Sequence, residues 1–153
     1  VLNRPLLEQL LDVHEMLVVA ATRLAVERGN EEQLGVAREL LARIGEPSTP
    51  DDEYIDAMER LLGLIAEASG NLVLQMARRA VDPLFEDGFR TVRKRLRNDP
   101  VEIGPLVREL DAAVVARDPA RAEQAARHVI RAGRSRALDE LETLARQSGE
   151  ATS

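Results

Sequence analysis

The chain contains no cysteine and no tryptophan, and among its 153 residues only one tyrosine and two phenylalanines. Without thiols there is neither a disulfide framework nor a cysteine nucleophile, and nothing in the sequence suggests secretion. Aromatic residues amount to 2% and runs of β-branched residues are missing, so the usual marks of strands are lacking. No apolar stretch approaches the roughly 18 residues of a membrane span. Positive charge is also in deficit. A net charge of −6 argues against the domain itself lying on nucleic acid, because phosphate contact requires a basic surface.

What is present is a globular composition, 44% hydrophobic and 31% charged, dominated by residues that favour helix. Periodicity predicts an all-α, antiparallel bundle of about six to seven helices around a single core. The first helix runs from about Pro5 to Arg28 and stops at Gly29-Asn30; the second covers 31–44 and ends at Gly45. GEPSTPDDE (45–53) reads as a loop, and a third helix spans about 51–69. The fourth is expected from Asn71 to about Leu96, with Val73, Met76, Ala80, Leu84, Phe85, Phe89 and Val92 inside. NDPVEIGP (98–105) is read as the next break, followed by a fifth helix over 105–116. A sixth opens at Asp118-Pro119, and the polar tail from Gln147 is expected to fray.

EASGNLVLQM (67–76) interrupts two apolar runs with Ser-Gly-Asn. Gly70 is suited to a left-handed residue that closes one helix, and Asn71 to a cap that starts the next. The break therefore lets two long helices fold back on each other.

Three segments, LLDVHEMLVVAATRLAVERG, IAEASGN and AAVVARDPARAEQAARHV, occur in the order and spacing of a known family. Over about residues 6–145 the chain resembles the C-terminal effector-binding domain of the FadR subfamily of GntR-type bacterial transcriptional regulators. The resemblance implies a homodimer that senses a small molecule. It also implies DNA contact only through an N-terminal winged helix-turn-helix, which would precede Val1. Residues 1–147 would form the helical domain and 148–153 a disordered tail. A cytoplasmic protein without membrane attachment is implied as well.

Many members of that family hold a metal in the bundle. The resemblance implies an Asp and a His at positions 58 and 62, and two further His at 107 and 129. Here these positions are Met58, Leu62, Val107 and Val129. Leucine and valine offer no lone pairs and methionine only a soft one. No metal or other cofactor is therefore expected. Two outcomes remain open: an apolar pocket suited to an acyl chain or other lipophilic effector, or a core filled by the same side chains. Burying each such side chain stabilises by roughly 1.5–3 kcal/mol.

The expected ligand-binding set is His14, Val18, Met58, Leu62, Met76, Arg79, Val107 and Val129. His14 lies on the inward stripe of the first helix, either addressing a ligand or bonded to a backbone carbonyl. Arg79 is the expected anion partner, against a solvated arginine; Tyr54 either caps a pocket or simply packs. His128 is read as a surface residue. Pro83 deprives the fourth helix of one hydrogen bond, to the Arg79 carbonyl, and is expected to bend it. RTVRKRLR (90–97) is read as a solvated helix end favoured by the helix dipole, rather than a phosphate-binding stripe. Catalysis finds little support: the two histidines lie on distant helices and none is placed to activate Ser69.

Overall fold

The computed structural model describes residues 3–89 and 93–151, and every regular element among them is helical. The order is α1 (Arg4–Arg28), α2 (Glu31–Gly45), α3 (Asp51–Ala68), α4 (Leu72–Phe89), α5 (Pro100–Val115) and α6 (Pro119–Ala151), with one 3₁₀ turn at Arg93–Leu96. Each α-helix start except that of α3 has a short polar side chain as its cap. Asn3 accepts from the Leu6 N–H, Asn30 and Gln33 form a reciprocal capping box, and Asp99 and Asp118 accept from the N–H groups of Val101 and Arg121. Asn71 accepts from the Leu74 N–H at 3.0 Å. Each such cap contributes about 1 kcal/mol.

The Ser-Gly-Asn break forms as expected. Gly70 takes φ +63°, and the fully buried Ser69 donates its hydroxyl to the Ala66 carbonyl while accepting from the Asn71 N–H. Arg28 reaches this turn and donates to the Ser69 carbonyl at 3.4 Å. At the same end of the bundle Arg117, in the left-handed region at φ 50°, donates to the carbonyls of Val26 and Gly29 at 3.1 and 2.7 Å. Two arginines thus tie three chain turns together.

α1 packs against α6 and α3, α2 against α3 and α5, and α5 against α6. The main core draws on α1, α2, α3, α5 and α6, with Leu40, Ile44, Ala57, Ile103, Ala113 and Ala122 among its most buried members. A second, smaller cluster of Leu7, Leu11 and Ala137 joins the start of α1 to the middle of α6, with Phe85 and Leu96 packed on it. α4 packs mainly on α1.

Three boundaries differ from the sequence expectation. α4 ends at Phe89 instead of continuing to Leu96, and Arg93–Leu96 is a 3₁₀ turn; residues 90–92 lie outside the described residues. The basic run is solvated only in part: Lys94 is 68% exposed beside Asp52 at 3.4 Å, whereas Arg97 is only 14% exposed and ion-paired with Asp51 at 2.8 Å. Both carboxylates belong to the acidic first turn of α3. α5 begins at Pro100, so Pro105 lies inside it. Pro105 has no N–H to give the carbonyl of Val101, a residue that is itself 83% exposed. α6 runs on to Ala151, past the polar stretch where fraying was expected.

α4 is also rotated from its expected setting. Val73 and Met76 are 75% and 59% exposed, and Ala80 and Leu84 are exposed with them. The inward side carries Leu74, Arg78, Val81 and Phe85, of which only Phe85 was expected there. The side chain of Phe89 and the whole of Val92 lie outside the described residues.

Candidate functional site: an apolar cavity beside the bundle centre

Met58 and Leu62 stand one turn apart on α3, and α5 and α6 bring Val107 and Val129 to meet them. All four line one small apolar void of about 30 Å³. One water needs roughly 10–15 Å³ of such space, so the void has room for only two or three. Thr22, also in its wall, donates its hydroxyl to the Val18 carbonyl at 2.8 Å. Methyl and methylene groups therefore nearly close the place where the family resemblance implies metal ligands, and these residues do not suit a divalent ion. Among the described residues no group of three or more His, Cys, Asp or Glu is arranged to hold a metal.

A larger cavity of about 230 Å³ lies on the other side of this wall. It shares Met58, Leu62, Val129 and Ile130 with the small void, and continues along Leu11, Phe85, Gly133 and Ala137. α3 presents its residues at i and i+4, and α6 presents Val129, Gly133 and Ala137 at the same spacing. A cavity with this lining favours apolar matter.

Polar groups stand at two places. At one end Asn98 Nδ2 donates to the Tyr54 hydroxyl at 3.2 Å, and the Arg97 guanidinium lies over the Tyr54 ring, 4.7 Å from its centroid. Arg97 also donates to the Thr49 carbonyl at 2.5 Å, so it is held from three sides. Tyr54 and Asn98 are both buried. Along the flank, Arg134 of α6 meets Asp12 of α1 at 2.5 Å.

His14 marks the boundary between the cavity and an outer vestibule of about 420 Å³, which Arg78, Asp82 and Glu86 also line. Its imidazole tilts against the Phe85 ring, with centroids 4.7 Å apart. Burial, and secondarily the nearby Arg78 cation, push the His14 pKa down to about 4. The ring is therefore neutral near pH 7. Arg78 pairs with Asp82 at 3.2 Å.

Of the expected site residues, His14, Met58, Leu62 and Val129 line the larger cavity. Val18 and Val107 lie behind it, in the wall of the small void. Met76 and Arg79 do not belong to the site: both are on the exposed side of α4. The correction is one of register, since Arg78 occupies the inward position assigned to Arg79. Tyr54 lines the cavity and is only 4% exposed. Asn98, Gly133 and Arg134 escaped the sequence reading as site residues. Gly133 sits on the i, i+4 row of Val129 and Ala137, which was the available signal; Asn98 follows the basic run and offered none. His128 lines neither the cavity, the small void nor the vestibule, and approaches Gln124 at 3.4 Å.

Among the described residues no helix is long and apolar enough to cross a membrane. A search of curated proteins finds no match to the chain. The profile of the FCD domain matches residues 9–132, a stretch that takes in most of α1, all of α2 to α5, the start of α6 and most of the cavity wall. The chain belongs to the FCD domain family, consistent with the C-terminal domain of a GntR-family transcriptional regulator.

Proposed function

We propose that this domain senses a lipophilic effector and serves as the dimerising half of a FadR-subfamily regulator, with DNA read by a winged helix-turn-helix preceding Val1. The observation that carries the reading is the 230 Å³ apolar cavity beside the hydrophobic Met58, Leu62, Val107 and Val129, where the family resemblance implies metal ligands. An apolar cavity of this kind is costly to keep, because its lining forgoes dispersion contacts that a filled core would have. A ligand restores them.

The effector acts by population shift. It favours whichever bundle arrangement leaves room for it, by its difference in affinity for the two arrangements. Recognition helices in a dimer must meet half-sites about one helical turn of DNA apart, so a small change in their spacing costs affinity.

The pairing face proposed is that of α1 and α4. Val13 and Met16 of α1, and Leu72, Val73, Met76 and Leu84 of α4, are large apolar side chains exposed to solvent. α1 and α4 are packed neighbours. Clusters of exposed apolar residues of this kind mark association surfaces.

Native mass spectrometry of the protein as purified tests the reading. The expected result is a dimer carrying a small apolar mass that is lost on denaturation, together with a rise in melting temperature on adding apolar compounds to protein freed of it. An empty dimer with no thermal response to such compounds would instead assign the domain to ligand-free dimerisation.

A further inference from the structure

We infer that the cavity selects an uncharged ligand: a compact apolar body bearing one hydroxyl, carbonyl or amide group that meets Tyr54 and Asn98. This rests on the effector-binding reading above and narrows it to a chemical class.

Among the described residues three arginines border the cavity and its vestibule, and each already has a carboxylate: Arg97 has Asp51 at 2.8 Å, Arg134 has Asp12 at 2.5 Å, and Arg78 has Asp82 at 3.2 Å. An incoming carboxylate would have to share one of these guanidinium groups with its present partner, bringing a second negative charge beside Asp51, Asp12 or Asp82, and shed its own water. Desolvation of that kind often exceeds the Coulombic gain. Among the described residues the vestibule offers an anion little more, because Glu59, Asp82 and Glu86 line it with Arg78 as the cation. Neutral His14, whose pKa is held near 4, supplies no positive charge either.

A cationic head fares little better. Glu59 stands on the exposed rim and is already engaged in an interaction of its own. Asp82 is taken by Arg78. An ion pair formed at such a solvated edge is worth little.

The buried polar end has the opposite character. The amide of Asn98 donates to Tyr54 Oη, which leaves the hydroxyl proton of Tyr54 to donate and the amide oxygen of Asn98 to accept. That is a neutral donor and a neutral acceptor side by side, the complement of a hydroxyl, a carbonyl or an amide. Size points the same way, since about 230 Å³ admits a compact molecule and lies below the range usual for drug-sized ligands. Gly133 helps to create the space: a Cβ built there meets nothing within 4 Å.

The test uses the whole chain with ¹³C-methyl methionine, titrated near neutral pH with 1-hexanol, hexanoate and hexylammonium at constant ionic strength. Met58 reports on the cavity wall, while the exposed Met16 and Met76 serve as internal controls. The expected result is a saturable Met58 shift with 1-hexanol, at least tenfold tighter than with either ion. Tyr54→Phe should weaken 1-hexanol severalfold and leave 1-chlorohexane unchanged. Gly133→Leu should abolish the Met58 response without lowering the melting temperature. Equal or tighter binding of hexanoate or hexylammonium, or an unchanged 1-hexanol affinity in Tyr54→Phe, would overturn the charge and polarity assignment and leave the cavity as a binding site. No Met58 response to any of the three probes, or an undiminished one in Gly133→Leu, would overturn the cavity reading itself.

Discussion

The imidazole of His14 and the ring of Phe85 meet across the seam between α1 and α4, 4.7 Å apart and tilted by 57°. Each side chain holds the other in place, and together they separate the apolar cavity from the charged vestibule. The contact suits an uncharged imidazole, which brings no charge to bury beside an aromatic ring.

His14 therefore links stability to pH. Its pKa is about 4 in the folded chain against 6.5 ordinarily, so between these values the unfolded chain binds the extra proton. The stabilisation is complete above pH 6.5 and is lost as pH falls toward 4, at no more than about 1.4 kcal/mol per pH unit. Urea unfolding between pH 7 and pH 5 should show this slope, and His14→Phe should flatten it. Arg78→Met should raise the His14 pKa only in part, because burial is the larger cause; imidazole chemical shifts measure it. A His14 that titrates near 6.5 in the native chain would contradict the burial described here.

Gly70 and Asn71 should be separable by mutation. Gly70→Ala forces a Cβ into the left-handed region at φ +63° and should cost roughly 1–2 kcal/mol. Asn71→Ala removes the acceptor for the Leu74 N–H and should cost about 1 kcal/mol, whereas Asn71→Asp should be tolerated. Denaturant unfolding reads all three, and equal stabilities for Asn71→Ala and Asn71→Asp would mean the cap contributes nothing.

The proposed pairing face is tested by Val73→Glu combined with Met76→Glu. Both side chains are exposed, so the fold should change by no more than about 0.5 kcal/mol while the dimer dissociates. Light scattering after size exclusion measures the outcome. A double variant that remains dimeric would place the interface elsewhere.

The convergence of four hydrophobic residues on one 30 Å³ void can be read by changing what they carry. Met58→Asp, Leu62→His, Val107→His and Val129→His, made together, should lower the melting temperature in the absence of metal, since polar groups are then buried without partners. Zinc should restore it with one ion retained per chain by elemental analysis. Failure to retain zinc would show that the four positions are too far apart to share an ion.

Much of this arrangement was legible because it rests on local chemistry. The Ser-Gly-Asn break follows from which residues tolerate a left-handed backbone or can cap a helix. The meeting of positions 58, 62, 107 and 129 followed from the resemblance together with helical spacing. α4 was misread for a physical reason. Leu72, Val73, Met76 and Leu84 on one side, and Leu74, Val81 and Phe85 on the other, make it apolar on two faces. Periodicity cannot decide which face turns inward when both are apolar, so Met76 and Arg79 were assigned inward in place of Arg78 and Val81. Pro105 misled for a different reason. A proline this near a helix start costs the helix only one hydrogen bond, so α5, capped by Asp99 with Pro100 in its first turn, starts five residues before the expected place.

The stitching of three turns by Arg28 and Arg117 gives the molecule the mechanics of tongs. One end is riveted, with two guanidinium groups gripping the carbonyls of Val26, Gly29 and Ser69. The other end, where Leu11, Phe85 and Ala137 flank the cavity, is held by the small cluster around Leu7 and by rim ion pairs. Widening the bundle for a guest should then spread the jaws around the start of α1 and the end of α4, with the rivet scarcely moving.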